Sequence, residues 1–247
     1  LKQSSKEGTI LTEDNVFQFF ESHQNASLIR SQSKRIRGLT TYGLTMKELR
    51  DLAKSIGTDH DLAIELFTTS IYDAMMLSTL IASPPLCSPT LLHSWALYAS
   101  STMVVDQGLS ALILNSIHRH EIVSTWTLHP HEDIRYAGFS FLSSYFRMEK
   151  LELLDVSLGS ALLSKIEQTI LQEPSTIQNA MNNAVVMAGL HVPALFEQAK
   201  HTAEVIGYIM PLIAKNSCNI QSALDYIVRY IDQPHYSRTA KLRKESS

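Results

Sequence analysis

Between Thr40 and Leu86 the sequence TTYGLTMKELRDLAKSIGTDHDLAIELFTTSIYDAMMLSTLIASPPL is punctuated so closely that only a run of short helices fits it. Thr45-Met46-Lys47-Glu48 has the form in which a threonine oxygen takes one orphan amide while the glutamate reaches back to another, so a helix is expected to start there. Gly57 closes it, and Asp59 caps a second helix through Phe67. A third is expected from Ser70 to Ala82, where Ser83-Pro84-Pro85 removes amides and restricts the residue before each proline.

The same punctuation continues. Ser88-Pro89 pairs a cap with proline at the first helical position, and Leu91, Leu92, Trp95 and Tyr98 follow at helical spacing. A helix from Thr102 to Ile117 carries Val105, Leu109, Leu112 and Ile113, leaving Asp106 one position beyond a mostly apolar stripe. Further helices are expected over 119–128, 131–148, 157–172, 175–189, 193–206 and 219–232. β-Branched residues fall inside the 3.6-residue period rather than alternating, so the class is all-α. Helices with one apolar face joined by short turns suit stacked helix pairs, and an irregular globular bundle equally; spacing does not separate them. Residues 12–232 form the expected single helical domain, with polar tails at 1–10 and 234–247 expected to be loose.

At 247 residues and 45% hydrophobic content the chain can bury a substantial core. A formal charge of −3 excludes a uniformly basic nucleic-acid coat and leaves room for a local basic face. Cys87 and Cys218 are far apart and belong to no CxxC pair, which indicates buried thiols rather than zinc or a disulfide framework. No apolar run is long enough to span a bilayer, and the polar start lacks a secretory core, so a cytoplasmic protein is the simplest expectation. Because the sequence starts at Leu1 rather than methionine, it does not establish where the natural amino terminus lies.

His118, His120, His129 and His131 do not follow a zinc spacing and no cysteine joins them; solvent-facing helix ends account for them and no metal is expected. Trp95 and Trp126 have apolar helical neighbours and read as core. Basic residues gather at Arg30, Lys34, Arg35 and Arg37, and again at Arg238, Lys241, Arg243 and Lys244, each cluster being either a soluble face or a phosphate contact.

Gly43-Leu44-Thr45, Leu49-Arg50, Leu52-Ala53-Lys54, Ile56-Gly57 and then Asp59-His60, Leu62-Ala63 and Glu65-Leu66-Phe67 resemble the opening of the AlkD-like DNA alkylation repair family. Ile71-Tyr72-Asp73-Ala74 is similar to the family's next helix, and Ser101 to Gln107 to its S-W-D-x-[CV]-D-Q segment. Arg135-Tyr136-Ala137-Gly138-Phe139 resembles its R-A-G-F motif, and Cys218, Ala223, Tyr226 and Ile227 its closing pattern. The resemblance runs in order from about residue 25 to 232. It implies a right-handed α-α superhelix of HEAT-like helix pairs, an α-solenoid whose concave basic face holds duplex DNA, and excision of cationic N3- or N7-alkylated purines.

By that resemblance Asp106 is the catalytic carboxylate, where a solvated or cap-bonded aspartate is the plain alternative, and Arg135 meets the DNA backbone, where an ion pair with Glu132 or Asp133 is the plain alternative. Arg30, Lys34, Arg35 and Arg37 help to clamp duplex. Two positions depart from the family: its tryptophans are replaced by Thr102 and Asn183, which offer no aromatic face to a sugar or a cationic base. The resemblance implies alkylated duplex DNA as partner and no cofactor. Its second reading is a HEAT-like scaffold that binds DNA or protein without catalysis.

Overall fold

The computed structural model describes residues 12–36, 38–99, 101–209 and 220–245. In chain order the helices are α1 (Glu13–Ser22), α2 (Ala26–Gln32), α3 (Met46–Ile56), α4 (His60–Phe67), α5 (Tyr72–Ile81), α6 (Pro89–Tyr98), α7 (Thr102–Val104) and α8 (Ser110–Leu114). There follow α9 (Arg119–Trp126), α10 (Glu132–Met148), α11 (Val156–Thr169), α12 (Ser175–His191), α13 (Phe196–Ile206), α14 (Ala223–Tyr230) and α15 (Arg238–Glu245). Among the described residues there is no strand, only isolated bridges at Thr40 with Ile71 and Tyr208 with Ser222. The class is all-α, as the helical periods indicate, and no described helix is long and apolar enough to cross a membrane.

The chain divides into two compact units: residues up to Cys87 together with Tyr98–Gly108, and Ser88–Leu97 together with Leu109 onward. In the first, α3 and α4 both pack on α5, whose Tyr72, Ala74, Met75, Met76, Leu77 and Ile81 are all buried. The Thr45 hydroxyl accepts the Glu48 amide at 3.2 Å while the Glu48 carboxylate accepts the Thr45 amide at 2.7 Å, so the expected capping box fixes the start of α3. Asp59 caps α4 by accepting the Leu62 amide at 3.0 Å. The loop into α3 hangs from Asp73, fully buried on α5, which accepts from the Thr41 hydroxyl at 2.8 Å and from the amides of Tyr42 and Leu44 at 2.6 and 3.0 Å. A buried carboxylate is tolerated because three donors converge on it, two of them backbone amides.

In the second unit α10 lies along α12 as the main helix pair, with α8 and α9 on one and α13 and α14 on the other. Trp95 and Trp126 are buried, as their neighbours indicated. Cys87, in the first unit, is also buried and burial pushes its thiol up to about 11, which keeps it protonated and unreactive; Cys218 lies outside the described residues.

Three expectations are corrected. α5 starts at Tyr72 rather than Ser70, because Ser70 takes a left-handed φ of 58° and its neighbour Thr40 pairs with Ile71. The continuous helix expected over 102–117 is interrupted by a π-helical turn at Val105–Leu109. Residues 238–245, expected to be loose, form α15, whose first residue is an anchor: Arg238 donates to the carbonyls of His191, Glu149 and Phe146 at 2.7, 2.6 and 2.7 Å. One guanidinium thus serves the carboxyl ends of both α10 and α12, where helix carbonyls are unsatisfied and the dipole is negative. Residues 1–10 lie outside the described residues.

Candidate nucleic-acid interface

Asp106 and Thr102 belong to the first unit, where local sequence decides their setting. Ser101, buried, accepts the Met103 amide at 3.3 Å and so opens α7 directly at the exposed Thr102. The chain then widens into the π turn, with Val104, Val105, Gly108 and Leu109 turned inward and Asp106 and Gln107 exposed. A π turn costs hydrogen-bond geometry and recurs where function needs a side chain re-aimed. It is held here by a close approach: a Cβ on Gly108 would lie 2.6 Å from the Thr79 hydroxyl and 3.1 Å from its methyl, so only glycine lets the turn seat on α5. Asp106 is therefore exposed on a turn fixed by packing beneath it.

Arg30, Lys34 and Arg35 are exposed and, with Ser27 and Ser31, line an open depression at the end of α2. None of the three cations makes an ion pair among the described residues. Arg37 lies outside the described residues.

Arg135 and Asn183 belong to the second unit. Arg135 is not paired with Glu132 or Asp133; it meets Glu173 in a bidentate bridge, Nε to Oε1 at 2.9 Å and Nη2 to Oε2 at 2.8 Å, and Nη1 donates to the carbonyls of His129 and Pro130 at 2.8 and 2.9 Å. Both side chains are more than four-fifths buried. The rest of its motif is structural, since a Cβ on Gly138 would meet the Thr127 amide and the Trp126 carbonyl carbon at 2.6 Å each. Asn183 is exposed on α12, whereas its neighbour Asn182 is fully buried and donates to the Ile220 carbonyl at 2.7 Å.

The histidines serve local structure. His129 and His131 accept backbone amides from His131 and Asp133 through Nδ1 at 3.0 and 3.3 Å, and the His120 Nδ1 meets the Tyr145 hydroxyl at 3.1 Å. Among the described residues no group of three or more metal-binding side chains converges. Tyr145 is fully buried and so offers no face to a ligand, while Tyr98 is 59% exposed. The sequence missed Glu173 as the partner of Arg135, Thr79 as the seat of the Asp106 turn and Arg238 as an anchor; only Gly108, a glycine inside an apolar helical period, hinted at any of them.

Residues 16–205 of this all-helical chain match the DNA alkylation repair enzyme family, and the chain belongs to that family. It is similar to the uncharacterized protein Lin0241 of Listeria innocua, 20% identical over 192 residues that span 76% of this chain and 83% of that protein. A solved structure described as "a new family of proteins related to the HEAT-like repeat DNA glycosylases with affinity for branched DNA structures" matches with a TM-score of 0.85 at 22% identity, over 93% of this chain and 98% of that one. The fold is thus that of the HEAT-like repeat proteins.

Proposed function

We propose that this protein binds duplex DNA and excises cationic N3- or N7-alkylated purines, with low activity. The observation that carries the reading is Asp106, exposed on a π turn that Gly108 seats against Thr79. A cationic alkylated purine is already a good leaving group, so the barrier lies in positive charge building on the sugar as the glycosidic bond breaks. A fixed carboxylate beside that sugar stabilises the charge or orients the attacking water. Arg30, Lys34 and Arg35 receive backbone phosphate, a contact that weakens steeply with salt. Arg135 reaches phosphate only where phosphate replaces Glu173, which makes it a latch rather than an open contact.

A second reading, DNA binding without excision, is favoured by Thr102 and Asn183, exposed polar side chains where the family carries indoles. The affinity of the related solved protein for branched DNA points the same way. Purified protein and its Asp106→Asn variant, incubated with duplex carrying one 7-methylguanine, separate the two. Base release abolished by the substitution supports excision; salt-sensitive binding without release supports the second reading. Release that survives in the variant removes Asp106 from the mechanism, and absence of both release and binding overturns both readings.

A further inference from the structure

Tyr226, Tyr230 and Tyr236 form a ladder on the second unit, with ring centroids 4.5 Å apart between the first two and 4.6 Å between the last two. The His235 ring continues it edge-on, 5.0 Å from Tyr236. The ladder is not core: Tyr236 is 45% exposed and the other two are half-buried. It is also rigid. The turn that carries Tyr236 is closed by the Tyr236 and Ser237 amides donating to the Gln233 carbonyl, both at 2.9 Å, and by the Gln233 amide donating to the Tyr230 carbonyl at 3.0 Å. The next two residues are tied down, Ser237 to the Leu190 carbonyl at 3.0 Å and Arg238 to three helix ends. Folding gains little from fixing a half-exposed ring so firmly, but a ligand that stacks on it avoids the entropy of ordering it.

Two cations accompany the cluster, one in space and one in sequence. Arg147, at the end of α10, is exposed and makes no ion pair among the described residues, and its charge is felt by Tyr226. Arg229, between the first two tyrosines in sequence, is likewise exposed and without an ion pair among the described residues. The Tyr236 ring, open to solvent at the end of a cluster whose rings tilt by 50° and 47° to one another, offers a face on which a base can stack, and unpaired guanidinium groups suit the phosphates of a single strand. Duplex offers no such open base faces.

We infer that Tyr236, Tyr230 and Tyr226, with Arg147 and Arg229, form a stacking platform for single-stranded DNA, separate from the Asp106 turn. The inference rests on the DNA-binding reading for its choice of polymer. It gives the protein a means of holding the unpaired arm of a forked or gapped DNA.

The test is fluorescence anisotropy with labelled oligo(dT), with the same length of oligo(U), and with blunt duplex, over a salt series. Wild type is expected to bind oligo(dT), and Tyr236→Leu, which keeps apolar bulk without the ring, to weaken it by about tenfold while Tyr236→Phe binds as wild type. Arg147→Ala is expected to weaken oligo(dT) binding and flatten its salt dependence. Equal binding by the leucine variant, tighter binding of oligo(U), or no binding of oligo(dT) by wild type overturns the platform. Duplex binding without single-strand binding removes the platform alone, whereas single-strand binding without duplex binding removes the duplex reading and leaves the platform standing.

Discussion

Gly108 sits so close to Thr79 that a single added methyl group would meet the threonine hydroxyl at 2.6 Å, and this contact fixes the turn that exposes Asp106. Gly108→Ala is expected to destabilise the fold by about 1–3 kcal/mol and to lower base release, because overpacking must shift either the turn or α5. Adding Thr79→Ala removes the obstructing atoms and is expected to restore much of both losses. Thermal melting and 7-methylguanine release on the single and double variants check this; a double variant no better than Gly108→Ala would sink it.

Arg238 is the residue on which the second unit most depends at the end of its two long helices. Arg238→Ala leaves the carbonyls of Phe146, Glu149 and His191 without their donor and is expected to cost about 3 kcal/mol or more in urea unfolding. Arg238→Lys is expected to recover only part, since one ammonium cannot span three separated acceptors.

Burial, with Arg238 and Arg147 nearby, pushes His191 down to about 4 from 6.5. The unfolded chain then binds this proton more readily than the folded one, so stability is present above pH 6.5 and is lost as pH falls toward 4. Allowing for its partial exposure, the loss attributable to His191 is about 1–2 kcal/mol. Comparing wild type with His191→Gln by denaturant unfolding at pH 7 and pH 5 tests it: the variant should show the smaller drop.

Arg135 and Glu173 should behave as one unit. Each single alanine substitution is expected to destabilise by about 3 kcal/mol, and the pair by much less than the sum, because each single change strands a mostly buried charge. Additive losses would show that the bridge contributes nothing. If Arg135 is a phosphate latch, Glu173→Gln should tighten duplex binding and steepen its salt dependence.

What could be read from the chain depended on how far its partners lie along it. The Thr45–Glu48 box, the Asp59 cap and the proline stops act within three or four residues, so sequence displays both halves of each interaction. The bridge from Arg135 spans 38 residues, and sequence offered the nearer Glu132 and Asp133 instead. Arg238 reaches 47, 89 and 92 residues back, so its cluster read as a soluble tail. The π turn was hidden for another reason: the apolar pattern over 102–117 fits a regular helix, and the contact of Gly108 with Thr79 decides otherwise. Asp106 itself stood out through its motif, and the structure places it exposed on the π turn.

The reach of Arg238 also bears on biosynthesis. The ends of α10 and α12 are finished by a side chain made about ninety residues after the first of them, so a nascent chain emerging from the ribosome carries that helix pair uncapped until residue 238 has cleared the exit tunnel.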